Sequence, residues 1–129
     1  MSSKWEQFEI EEKVIGILRD ALTHAPDHHF GRPYMSAYQL AIEFAYRHPE
    51  VAQKWRFVGG KGIGVRNSLA QYLGKELSTR VHERQLPHVE GALWSDMHVR
   101  TLTFQHGGAV IESALAGSRM TLSLFRYVD

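Results

Sequence analysis

The sequence predicts an α+β fold in which N-terminal helices pack on a C-terminal antiparallel sheet of three or four strands. Before Pro87, apolar residues recur at three- and four-residue steps, as on the buried face of a helix. Beyond Pro87 the apolar spacing changes to two, which is typical of strands with one buried face. The length of 129 residues suits one domain, so we expect residues 1–129 to form a single unit around one core.

The first two helices are predicted from their periodicity and from the residues that bound them. An apolar stripe runs through residues 9–25, and Pro26 should end that helix. The second helix should start at Ser36, because Ser36 and Gln39 have the spacing of a capping box. It should end just before Pro49, since the residue that precedes a proline disfavours helical geometry.

A third long helix is expected over residues 69–82. Ser68 and Gln71 repeat the capping-box spacing, and apolar residues line one face of the segment. Gly74 lies inside this helix, where glycine costs about 1 kcal/mol relative to alanine. A short further helix from Glu50 to Trp55 is also compatible with the sequence.

The C-terminal part alternates apolar and polar residues, which favours a short antiparallel meander. The elements expected are strands at residues 89–94, 100–105, around 110–111 and 121–127, with turns at 106–108 and 116–118.

Three helices followed by an antiparallel hairpin make an element order that resembles the winged-helix architecture. The resemblance implies that the third helix, here the one after Ser68, lies in the major groove of DNA while the hairpin touches the DNA backbone. The connection from His48 to Ser68 is longer than the turn of an ordinary helix-turn-helix, unless the short helix from Glu50 fills it.

Positive charge is concentrated in one stretch of a chain whose net charge is +1. Residues 51–90 carry seven basic and three acidic side chains, a net charge of +4. Within this stretch, four glycines fall among residues 59–64, just before the third helix, whose free N–H groups suit an anion. We therefore expect a non-enzymatic module that binds nucleic acid through this loop and helix; the contact residues predicted are Lys61, Arg66, Asn67, Gln71, Lys75 and Arg80.

The alternative without a binding function is that these charges form a solvated helix face, since the whole chain is nearly neutral. The alternative function is a protein-interaction or small-ligand module, with a homodimer as one form. It would use apolar surface from the sheet or from Phe30 and Tyr34. An enzyme would require a concave pocket, where His28, His29 and Lys61 would be the first candidates, but no residue pattern indicates a reaction.

Metal and cofactor sites are not expected. His24, His28 and His29 cluster near Asp27, but the chain lacks an HEXXH motif, and the absence of cysteine excludes disulfides and thiolate zinc sites. No apolar run approaches the ~18 residues of a membrane span, and the N-terminus is acidic and amphipathic, unlike a secretory signal. We therefore expect no membrane contact and a cytoplasmic location.

Overall fold

A computed structural model describes residues 3–21, 23–55, 58, 68–99, 101–106, 109–114 and 122–129. Its helices are α1 Lys4–Gln7, α2 Ile10–Arg19, α3 Ala37–Arg47, α4 Pro49–Ala52 and α5 Leu69–His82. Its strands are β1 Met35–Ser36, β2 Val89–Trp94, β3 Thr101–His106, β4 Ala109–Ala114 and β5 Leu122–Tyr127. The prediction of an α+β fold, with helices on an antiparallel sheet, is confirmed.

The two capping boxes predicted from the sequence differ in how completely they form. At α3, the Ser36 hydroxyl accepts from the Gln39 N–H and the Gln39 side chain accepts from the Ser36 N–H, so both halves are present. At α5, the Ser68 hydroxyl accepts from the Gln71 N–H at 3.1 Å. Both helices begin where the sequence predicts, because these hydroxyls satisfy N–H groups that have no partner within the helix.

The helix α2 is shorter than its apolar stripe predicts. It ends at Arg19, whereas the stripe and Pro26 predict an end near residue 25. The Arg32 side chain donates through Nε to the Arg19 carbonyl, and the Arg32 guanidinium lies over the ring of Tyr127. A residue of the following loop thus provides a hydrogen bond to a carbonyl that has no partner within the helix. Such a tertiary contact cannot be predicted from local periodicity.

The main sheet has the strand order β1-β5-β2, and β3 pairs with β4 in a separate two-stranded sheet. All of these pairs are antiparallel, with Val89 opposite Tyr127 and Trp94 opposite Leu122 at the two ends of the β2–β5 ladder. Because β1 and β2 occupy both edges of β5, the expected meander of three consecutive strands is wrong at its last pair. The expected turns at 107–108 and 116–118 lie outside the described residues.

One core cluster joins the helices to the sheet. It includes Phe44 and Leu73 from the helices and Phe125 from β5, each at most 2% exposed. Burying a side chain of this size stabilises the fold by about 1.5–3 kcal/mol relative to leaving it in water. Trp5 and Trp55 are buried in the same cluster. The burial of Phe125 shows which face of β5 packs against the helices.

None of the helices in the described ranges is long and apolar enough to span a membrane.

Candidate functional site

The solvent-facing side of α5 is a polar face, formed by Gln71, Lys75, Ser78, Thr79 and His82. Gln71, Lys75, Ser78 and His82 recur at steps of four, three and four residues, so they lie along one side of the helix. Gln71 is half-buried and the other four are exposed. The face contains no carboxylate, and we call it the α5 face.

The Gln71 side chain lies at the boundary between the core and solvent. Its backbone N–H donates to the Ser68 hydroxyl, which fixes the start of the helix. Its side-chain Oε1 is buried and has no hydrogen-bond partner among the described residues. A buried acceptor of this kind costs free energy until water or a ligand donates to it.

The structure does not place Arg80 on the α5 face. Five residues after Lys75, it lies about 140° further around the helix. Its Nε is 3.3 Å from the Glu76 carboxylate, and its guanidinium lies 4.4 Å from the centre of the Trp5 ring. A further hydrogen bond of 3.1 Å runs from Arg80 Nη1 to the Gln85 side chain. Arg80 therefore fastens α5 to α1, while Lys75 faces solvent.

Three of the predicted contact residues, Lys61, Arg66 and Asn67, lie outside the described residues, as does the glycine-rich run at 59–64. Their contribution to an interface stays a prediction from the sequence.

The C-terminus of α5 carries a cation that the sequence analysis counted but did not single out. Arg84 has a φ of +60°, and its N–H donates to the Val81 carbonyl. The N–H of Gln85 donates to the Arg80 carbonyl at 2.8 Å, which completes a Schellman motif. Glycine is the usual residue at the left-handed position of this motif. Arg84 therefore holds an exposed cation there at a conformational cost.

A second candidate surface is a cleft between the α2–β1 loop and β5. This cleft, which we call the loop cleft, has a volume of about 700 Å³. Its lining residues are Thr23, Ala25, His28, His29, Phe30, Gly31, Arg32, Pro33, Tyr34 and Arg126. Of the three residues proposed for an enzyme pocket, His28 and His29 line it, whereas Lys61 lies outside the described residues.

A hydrogen-bond network forms the base of the loop cleft. The Tyr34 hydroxyl donates to the Glu90 carboxylate at 2.6 Å, and Arg126 donates to the same oxygen at 3.1 Å. Arg126 also donates to the Phe30 carbonyl and stacks on the ring of Tyr34, so it ties the loop to β5. The hydrogen bond from Tyr34, with the nearby Arg126 charge, lowers the pKa of Glu90, while burial and the Glu90 carboxylate raise the pKa of Tyr34.

The histidines of this loop do not assemble a metal centre with the groups around them. Within the described ranges, no set of three or more His, Asp or Glu side chains is arranged to hold a metal ion. His28 and His29 instead stack on each other, with ring centroids 4.3 Å apart.

A third surface is the outer edge of β2. Leu93 is 68% exposed and Met97 71%, and Trp94, at 46%, is the one tryptophan outside the core cluster. In the part of the chain that the structure describes, β2 ends the three-stranded sheet, because β5 alone pairs with it. Its outer N–H and C=O groups therefore face away from the sheet.

Comparison with known proteins gives no relative: no family model, no curated protein and no solved structure matches the chain.

Proposed function

We propose that this protein is a non-enzymatic module that binds duplex nucleic acid through the α5 face. The observation that carries the proposal is the composition of that face. Its exposed side chains carry hydroxyl, imidazole and ammonium groups, and none of them is a carboxylate that would repel phosphate. Glu76, the acidic residue within α5, does not lie on this face and pairs with Arg80.

The order of elements supports this proposal. The helices α2, α3 and α5 precede the antiparallel pair β2–β5, as in the winged-helix architecture that the sequence resembles. The long connection before α5 contains α4, the short helix that would be needed to fill it. In that architecture the third helix enters the major groove, and α5 is the corresponding helix here.

The chemistry of the face suits both parts of a duplex. The Lys75 ammonium matches phosphate oxygens, which supply affinity without sequence preference. The exposed hydroxyls of Ser78 and Thr79 can bond to bases or phosphates. Arg84 adds a cation at the end of the same helix.

Fluorescence anisotropy with a labelled random duplex at several salt concentrations tests this function. Each phosphate contact contributes about −0.9 to the slope of log affinity against log salt. The Lys75→Ala variant should therefore weaken binding and make the slope shallower by about 0.9. Lys54→Ala is the matched control, since Lys54 is an exposed lysine outside α5 whose ammonium lies over Phe8. A flat salt dependence, or equal losses in both variants, would contradict the proposal.

A second candidate function is self-association through β2, and the exposed Leu93 and Trp94 favour it. The strand Val89–Trp94 has no proline or lysine, the residues that commonly protect an edge from pairing. Its one charge, Glu90, is already paired with Arg126. A second copy of the same strand could add in antiparallel orientation about a two-fold axis, pairing the outer N–H and C=O groups of both strands, with Leu93 and Trp94 contacting the partner on opposite faces of the sheet.

Sedimentation equilibrium over a range of protein concentrations tests self-association. Leu93→Lys should shift the equilibrium toward monomer, while Phe30→Lys, which places the same charge at an exposed apolar residue of the loop cleft, should leave it unchanged. A protein that stays monomeric at the highest soluble concentration would rule out the β2 dimer.

A further inference from the structure

We propose that the loop cleft binds a small planar aromatic anion, of the class to which nucleoside monophosphates belong. This site is separate from the α5 face, and the inference does not rest on the proposed nucleic-acid function. A volume of about 700 Å³ falls within the ~300–1,000 Å³ typical of pockets for small ligands.

One wall of the cleft is aromatic and open to solvent. Phe30 is 72% exposed, and its ring meets those of His28 and His29 edge-on, with centroids 4.6 and 4.7 Å away. The three rings contact one another and together form an exposed aromatic surface. A planar ring that stacked on Phe30 would cover apolar surface that now lies in water.

Two arginines, Arg32 and Arg126, also line the cleft, and each is paired with a carboxylate that is not among the cleft's described lining residues, Asp129 and Glu90 respectively. Arg126 is committed to the loop carbonyls and to Glu90, so its role is to hold the wall in place. Arg32 is the group available to a ligand, because its ion pair with Asp129, at 3.1 Å, is held by a carboxylate side chain that is 82% exposed.

The pair between Arg32 and Asp129 explains how an anion could enter. An ion pair with so exposed a carboxylate contributes little to stability, so a ligand anion can replace Asp129 at Arg32 at low cost. The Arg32 guanidinium would stay oriented during the exchange, since its Nε donates to the Arg19 carbonyl and its plane lies over Tyr127. Asp129 thus acts as an internal competitor for the anion site.

NMR titration of the full chain with three probes tests the site: adenosine 5′-monophosphate, adenosine, and ribose 5-phosphate. We expect saturable shifts at residues 28–34 with the monophosphate, and weaker binding of both fragments, which supply only the ring or only the anion. Phe30→Ala and Arg32→Gln should each weaken monophosphate binding by about ten-fold. Asp129→Asn should tighten it by about two- to five-fold, because the competing carboxylate is removed.

The Asp129→Asn result separates ligand binding from a structural effect, since a variant that merely lost a stabilising contact would bind the monophosphate less tightly, not more tightly. Lys75→Ala should leave monophosphate binding unchanged, and Phe30→Ala should leave duplex binding unchanged. The proposal for the loop cleft and the proposal for the α5 face can therefore be contradicted independently. Absence of saturable shifts with millimolar monophosphate would overturn the inference. Equal affinity of the wild type and Asp129→Asn would overturn it as well.

Discussion

Gly74 of α5 packs against Ala37 of α3 so closely that a Cβ at position 74 would lie 3.3 Å from the Ala37 Cβ. This contact explains why a residue with poor helix propensity lies in the middle of the helix that carries the α5 face. Close approach of the two helices here fixes which side of α5 is buried and which side faces solvent.

Larger side chains at position 74 should therefore destabilise the protein. We expect Gly74→Val to lower the free energy of unfolding by about 1–3 kcal/mol through overpacking against α3. Gly16→Ala is the control, because a Cβ at Gly16, inside α2, would meet nothing within 4 Å. That change should stabilise the protein by about 0.5–1 kcal/mol. Urea denaturation measures both effects, and a stabilised Gly74→Val variant would contradict the packing described.

Substitutions of Arg80 and Lys75 should distinguish a structural role from a binding role on the same helix. Arg80→Ala removes the stacking on Trp5 and the pair with Glu76, and should cost about 1 kcal/mol of stability. Lys75→Ala should change stability by less than about 0.5 kcal/mol, because the side chain is exposed. Thermal unfolding of the two variants makes the comparison. Equal losses would mean that Lys75 is also part of the packing.

The bond between Tyr34 and Glu90 should make part of the stability depend on pH. Because the pKa of Glu90 is lowered in the folded protein, its contribution is complete above the ordinary carboxyl pKa and is lost as the pH falls through the lowered value. Tyr34→Phe should cost about 0.5–1 kcal/mol at pH 7, and the deficit relative to wild type should shrink toward pH 3. Denaturant melts across this range measure it. In a Glu90→Gln background, the effect of Tyr34→Phe should no longer vary with pH in this window.

Arg84 should show opposite effects on stability and on binding. Arg84→Gly relieves the positive φ at the end of α5 and should stabilise the protein by about 0.5–1 kcal/mol. The same change removes an exposed cation and should weaken duplex binding. Calorimetric melting and anisotropy together check the pair of effects, with Arg84→Lys as a control that keeps the charge. If Arg84→Gly binds duplex as tightly as the wild type, Arg84 is not part of the interface.

The parts of the fold that local chemistry determines could be predicted from the sequence. The starts of α3 and α5 follow from Ser36 and Ser68, whose hydroxyls cap the helices in the structure. The end of α3 follows from Pro49, since the helix stops at Arg47. These features depend on residues within four positions of one another.

The features that the sequence analysis missed depend on contacts between distant residues. At the end of α2 the Arg19 carbonyl accepts from Arg32, and β5 pairs with β1 and β2, which are distant from it in the sequence. On α5, Arg80 was grouped with Lys75 because both are cations in a basic stretch, although their five-residue spacing places them about 140° apart; the contact of Arg80 with Trp5 joins distant residues. The polar spacing of Gln71, Lys75, Ser78 and His82 was readable beforehand and would have identified the exposed face.

The most direct test of the central claim is to map duplex binding onto the backbone amides by NMR. We expect the largest shifts at Gln71, Lys75, Ser78, Thr79 and His82, with small changes at β2 and at residues 28–34. Shifts confined to β2 or to the loop cleft, or no shifts with excess duplex, would contradict the assignment of nucleic-acid binding to the α5 face.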